Sequence, residues 1–242
     1  MFTNLFNLNN RTSFIIYQMG KVGSRTIQHS IENVFGKEKV LHTHKHEEAK
    51  KYIKKWSQRR FSKVVVITGF REPLNRCISA YFQNIVNDIN HWFVAPREEV
   101  MEKSIDWLIN DYNRKVVPHV HKVVAPWLHN YENVINVKFE KFTKNNGYWK
   151  ASRKNIHFYI YKLENFTEFY QEIENIALFK KINFINSNIG ENKWYGYIYR
   201  NFKEQFQISR DDYESLYGKI DYVRYLYDGK DEIKELTKKF VL

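Results

Sequence analysis

Gln18-Met19-Gly20-Lys21-Val22-Gly23-Ser24-Arg25-Thr26 and Arg71-Glu72-Pro73-Leu74-Asn75-Arg76-Cys77-Ile78-Ser79-Ala80-Tyr81-Phe82 are the stretches that decide the fold. The first follows the apolar run Phe14-Ile15-Ile16-Tyr17 and precedes a helical pattern. A strand, a Gly- and Ser-containing loop and a helix N-terminus together make an anion cradle. The second follows Val64-Val65-Val66-Ile67 and again opens a helix. Two such units, each presenting cations and hydroxyls, suit a ligand with two separated phosphate-like groups.

The first loop is not a Walker A sequence, because Lys21 precedes Gly23 and Ser24 instead of standing between a second glycine and the hydroxyl. The strand at 64–67 runs into Thr68, Gly69 and Phe70, with no acid to organise magnesium for a nucleotide triphosphatase. The reading is therefore an α/β, P-loop-like fold, a parallel sheet flanked by helices, with 1–242 as a single domain and no metal.

Residues 13–17, 39–42, 63–67 and 158–163 read as strands. Ile27, Ile31, Val34 and Phe35 recur at the spacing of an amphipathic helix. Residues 47–59 read as a basic helix with Ile53 and Trp56 inward. The 73–87 helix places Cys77 on its apolar side and Ser79 off it. Met101, Ile105, Leu108 and Tyr112 mark one further helix. The stretch 113–155 reads as irregular, with a turn at Asn145-Asn146-Gly147. Ser209 and Asp212 suggest a capping box, and a last helix starts near Asp231.

Lys21-x-Gly23-Ser24-x-Thr26 resembles the 5′-phosphosulfate loop of sulfotransferases that use 3′-phosphoadenosine 5′-phosphosulfate (PAPS). Arg71-x-Pro73-x-x-Arg76-x-x-Ser79-x-Tyr81-Phe82 resembles their 3′-phosphate motif. The likeness is strongest over 12–85, and residues 18–24 are closest to a bacterial branch linked with capsular polysaccharide. It implies a sulfotransferase fold. Gly20, Lys21, Val22, Gly23, Ser24, Arg25 and Thr26 would hold the 5′-phosphate, and Arg71 and Ser79 the 3′-phosphate. Lys21 would stabilise charge on the leaving phosphate, and Lys193 would close over the nucleotide. Arg76 is either a further ligand or a surface residue. His42-Thr43-His44 is similar to the His-x-His segment of glycan 2-O-sulfotransferases, which makes His44 the expected base and His42 its neighbour. The acceptor implied is a hydroxyl of a glycan or a small molecule.

Bland readings stand beside these. The first loop is also compatible with an ordinary βα turn, Arg71 with an ion pair to Glu72, and 42–46 with solvated histidines or a metal site including His46 and Glu47. Lys193 also fits an amphipathic helix, and His119 and His121 are lesser histidine candidates.

The 242 residues carry 39 Lys and Arg against 27 Asp and Glu, a formal charge of +12. Such a surface steers polyanions inward. Lys50, Lys51, Lys54, Lys55, Arg59 and Arg60 supply a rival reading, a non-catalytic module for acidic glycan or nucleic acid, although no nucleic-acid motif is present and no nucleic-acid partner is expected. The lone cysteine, Cys77, excludes an intrachain disulfide and reads as a buried structural thiol. No signal peptide or membrane span is read, so a soluble cytoplasmic setting is the expectation.

Overall fold

The structure, a computed structural model, describes residues 11–86, 96–176, 192–227 and 229–242. In chain order the first elements are β1 (Thr12–Tyr17), α1 (Ser24–Phe35), β2 (Val40–Thr43), α2 (His46–Ser57), β3 (Lys63–Phe70), α3 (Pro73–Asn84), α4 (Arg97–Glu102) and α5 (Ile105–Lys115). There follow α6 (Val120–Val124), α7 (Pro126–Ile135), β4 (Thr143–Lys144), β5 (Tyr148–Arg153), β6 (Ile156–Lys162) and α8 (Phe166–Ile176). The chain ends with α9 (Gly196–Gln205), α10 (Arg210–Tyr217), α11 (Asp221–Leu226) and α12 (Gly229–Thr237). It divides into two compact units, Met1–Arg71 with Leu128–Asn188 and Glu72–Trp127 with Ile189–Leu242.

The first unit is α/β. Its six strands are ordered β2-β1-β3-β6-β5-β4. The four strands β2, β1, β3 and β6 are parallel, and β5 and β4 are antiparallel. The sheet is therefore mixed, not wholly parallel as expected. The cause lies in Asn145-Asn146-Gly147: Gly147 takes φ 76° and the Asn145 N–H donates to the Tyr148 carbonyl at 2.8 Å. This tight turn reverses β4 into β5, and β5 runs back along β6.

Val64 to Phe70 are buried without a break, the mark of a central strand covered on both faces. On one face Phe14, Ile16, Val65, Ile67, Tyr159 and Tyr161 pack with Ile27 and Ile31 of α1 and Phe169 and Ile173 of α8. Burying each such side chain stabilises by about 1.5–3 kcal/mol. By alternation Ile15 and Tyr17 point to the opposite face. There Tyr131 of α7 stacks on Tyr17 with ring centroids 6.4 Å apart, and α2 packs on β1 and β3. The strand at 63–67 runs on to Phe70, which carries Arg71 to the end of the sheet.

Helices make up the second unit, packed through aromatic rings. Phe82 meets Phe202 edge-on at 5.1 Å, and Tyr112 meets Phe202 at 5.4 Å. Edge-to-face pairs of this kind add about 0.5–1.5 kcal/mol beyond area burial. Glu72 caps α3: it is fully buried and accepts from the Leu74 and Asn75 N–H groups at 2.7 and 2.8 Å and from the Tyr217 hydroxyl. Pro73 follows at the first helical position, where its missing N–H costs nothing. Cys77 is buried as expected.

Two expectations fail here. The pattern from Met101 to Tyr112 is two helices, because the Ser104 hydroxyl accepts from the Trp107 N–H at 3.2 Å and starts α5 afresh. The stretch 113–155 is not irregular. Pro118 and Pro126 sit in the first turns of a 3-10 helix and of α7, where proline starts a helix instead of breaking it. Only half of the box at Ser209 forms: its hydroxyl accepts from the Asp212 N–H at 3.1 Å, while the Asp212 carboxylate accepts from that hydroxyl at 2.7 Å and not from the main chain.

A candidate phosphate cradle beside paired histidines

Between β1 and α1 the chain turns through three left-handed residues, Gly20 (φ 86°), Lys21 (φ 64°) and Gly23 (φ 76°). Glycine bears this freely, but Lys21 holds it at a cost of about 1–3 kcal/mol. Two contacts secure the back of the loop. The Tyr161 hydroxyl donates to the Val22 carbonyl at 2.5 Å. A Cβ on Gly23 would come within 2.9 Å of Leu163 Cδ1, so the loop lies tight against the segment after β6.

Gly23 is the N-cap of α1 and lends it no side-chain acceptor. The Thr26 N–H donates to the Gly23 carbonyl at 3.1 Å. Among the described residues no hydrogen bond is made by the Ser24 or Arg25 N–H. A helix start with open donors and a positive dipole end favours an anion. Lys21 is half-buried, Ser24 and Thr26 are buried, and Arg25 is exposed. Arg71, at the end of β3, reaches the Lys21 carbonyl with Nη1 at 3.5 Å, the long limit of a hydrogen bond. One unit thus brings together Gly20, Lys21, Val22, Gly23, Ser24, Arg25, Thr26 and Arg71.

The histidines belong to the same place. Ile16 pairs with His42 in register, and the Gln18 N–H continues the ladder to the Thr43 carbonyl at 3.3 Å. His42 Nε2 lies 2.8 Å from Gln18 Nε2 and 3.0 Å from Ser24 Oγ. His44 Nδ1 lies 2.6 Å from the Gln18 carbonyl oxygen. The two rings sit 5.4 Å apart and edge-on. Burial, reinforced by the positive charge of Arg25 and by His44 and His29, pushes the His42 imidazole down to about 4. His42 is half-buried and His44 is exposed.

His46 turns away from this pair. Its Nδ1 is hydrogen-bonded to the Tyr17 hydroxyl, on the opposite sheet face. Among the described residues no group of three or more His, Cys, Asp or Glu is placed to hold a metal ion. Those residues offer no support for the metal reading of 42–47.

Of the other sequence-read residues, Ser79, Arg76, Lys193, His119 and His121 lie in the second unit, and the basic residues of α2 lie in the first. Ser79 is half-buried on α3. Arg76 is buried, which corrects its reading as a surface residue; its Nη1 approaches Cys77 Sγ at 3.8 Å. Lys193, just before α9, is half-buried, with Nζ 5.8 Å from the Tyr195 ring centroid, and burial lowers its ammonium below the usual range. The sequence reads 186–192 before it as a loop, of which 186–191 lie outside the described residues. His121 lines a cavity of about 520 Å³ with Asn113, Ser209 and Lys219. On α2, Arg59 stacks over Trp56 at 3.9 Å, while Lys50, Lys51, Lys54 and Lys55 are exposed.

Sequence reasoning gave no role to Gln18 or Tyr161. Gln18 was visible as the polar residue ending β1. Tyr161 had no local signal, because its partner Val22 is 139 residues away.

Compared with protein-family models, curated proteins and solved structures, the chain has no match. Among the described residues no helix is long and apolar enough to cross a membrane.

Proposed function

We propose that the protein is a PAPS-dependent sulfotransferase with a P-loop-like fold, acting on a hydroxyl of a glycan or related acceptor. The observation that carries this reading is the joining, at one end of one sheet, of a left-handed Gly-Lys-Val-Gly loop, the open start of α1, Arg71 and the His42–His44 pair. The donor set fits the nucleotide: main-chain N–H groups, that of Ser24 among them, and the Thr26 hydroxyl suit the 5′-phosphate, and the Arg71 fork suits a second phosphate. Ser79 and Lys193 are assigned to the 3′-phosphate and to closure by their motifs alone.

In this reading the acceptor oxygen bonds to sulfur as the bond from sulfur to the 5′-phosphate oxygen breaks. The electron pair leaves on the phosphate, where Lys21 stabilises it. The acceptor proton passes to a neutral imidazole, His44 in first place, with His42 beside it. The chain's own contribution is position and fixed charge.

A second reading has one observation of its own. Lys45, Lys51 and Lys55 line a groove of about 440 Å³ with Leu41, Glu48 and Tyr52, which suits a polyanion held without chemistry. Incubation with sulfur-labelled PAPS and fractionated acidic and neutral polysaccharides separates the two. Label transferred by the wild type and lost with Lys21→Ala supports the transferase. Polysaccharide retained with no label transferred supports the binding module.

A further inference from the structure

We infer that Gln18 is a positioning residue of this site: its side-chain amide keeps His42 as an acceptor for Ser24, and its main-chain carbonyl leaves Nε2 of His44 as the basic nitrogen. The inference rests on the proposed transferase reading for its catalytic meaning and on hydrogen-bond chemistry for its geometry.

A carbonyl oxygen only accepts. The 2.6 Å contact from His44 Nδ1 to the Gln18 oxygen therefore requires the hydrogen on Nδ1. A neutral His44 then carries its lone pair on Nε2. Among the described residues no hydrogen bond is made to that nitrogen. The neighbouring Cε1 lies 3.8 Å from where a Cβ on Gly20 would stand, an ordinary contact distance, so the ring sits beside the loop without being crowded by it. His44 is exposed and open to an acceptor.

His42 is held in the opposite sense. Gln18 Nε2 lies 2.8 Å from His42 Nε2 and only donates, so that nitrogen accepts and the ring is neutral; the Ser24 hydroxyl, 3.0 Å away, then donates to it as well. Reversing the amide would bury two unpaired N–H groups where one Gln18 oxygen is now buried without a partner. A proton on Nε2 would set His42 against the Gln18 amide, since of its two partners only the Ser24 hydroxyl can turn to accept. The groups that face it, Arg25 and His29 from α1 and His44 from its own strand end, add no negative charge to stabilise one. His42 therefore acts through Ser24 and stays out of proton transfer, while His44 does the proton transfer.

The assignment is testable on the full chain without ligand, by nitrogen-edited NMR of the histidine rings. At neutral pH both His42 and His44 should carry hydrogen on Nδ1, and His42 should titrate well below the usual imidazole range. In Gln18→Glu the new carboxylate accepts only, so the His42 hydrogen should move to Nε2. Its midpoint should then rise by about one pH unit or more, the size of shift an adjacent opposite charge produces. His44, held by main chain, should not change. Gln18→Met, which removes the donor without adding charge, should raise the His42 midpoint less and serves if the Glu variant fails to fold. Hydrogen on Nε2 of His44 overturns the assignment whatever the transfer assay shows. So does an unmoved His42 in both variants. The expected ring pattern in a protein that transfers no sulfate overturns the functional reading and leaves the hydrogen-bond geometry standing.

Discussion

Replacing Glu72 by glutamine removes one acceptor from a carboxylate that receives donors on both oxygens. Oε1 accepts from the Leu74 N–H at 2.7 Å and from the Tyr217 hydroxyl. Oε2 accepts from the Asn75 N–H at 2.8 Å and from Asn75 Nδ2 at 2.6 Å. Whichever oxygen becomes NH₂, one main-chain N–H faces a donor beside a side chain that is 0% exposed, the buried Leu74 N–H or the partly buried Asn75 N–H. The side-chain donor on that side, the Tyr217 hydroxyl or the Asn75 amide, can rotate, but the main-chain N–H cannot. An orphaned buried donor costs about 1–3 kcal/mol, and the lost charge-assisted bond adds about 1 kcal/mol. The expected loss is therefore about 2–4 kcal/mol. For a chain of this size each kcal/mol lowers Tm by about 2–4 °C. Urea unfolding followed by far-ultraviolet circular dichroism measures the loss directly. A Glu72→Gln protein within about 0.5 kcal/mol of the wild type, the range of an ordinary surface change, would refute the claim that this carboxylate holds the start of α3.

Arg71→Ala should weaken nucleotide binding most, whereas Lys21→Ala should lower kcat more than affinity, since the proposed mechanism aims its charge at the leaving phosphate; steady-state kinetics with an intact kcat and a raised KM for Lys21→Ala would contradict this. His44→Ala should lower turnover by about 10²–10⁴-fold with bisphosphate affinity near wild type, and a wild-type rate would exclude it as the base. The low His42 value makes the folded state bind fewer protons than the unfolded chain between about pH 6.5 and 4, so stability should fall as pH drops through that window. His42→Gln should lose less over the same interval in urea titrations at each pH, and an unchanged pH profile would remove His42 from the account. Gly23→Ala places a left-handed alanine 2.9 Å from the flexible end of Leu163, and strain of about 1–2 kcal/mol plus that contact should lower the urea midpoint measurably.

Much of the first unit was legible because its signals are local. Val64 to Ile67 could only be a buried strand, and Gly20, Lys21 and Gly23 between a strand and a helix face marked the loop. What was not legible depends on partners far along the chain. The left-handed Lys21 is held in a loop buttressed by Tyr161 and Leu163, and Arg76 is buried although its charge reads as surface. Pro118 and Pro126 misled because proline both ends and begins helices, and only the surrounding packing decides which. The antiparallel edge was hinted at by Asn146-Gly147, but the short β4 before it, two residues long, carries no strand pattern.

The most direct test of the central claim is calorimetric titration with 3′,5′-adenosine bisphosphate against 5′-AMP, with EDTA present. In the proposed reading only the bisphosphate carries the 3′-phosphate that Arg71 is assigned to hold. Losing one charge-assisted contact costs about 1.5–3 kcal/mol, which corresponds to about 10- to 150-fold in Kd. The account predicts that the bisphosphate binds tighter by at least that lower factor, without magnesium, and that Arg71→Ala removes most of the difference. Equal affinities for the two nucleotides would contradict it.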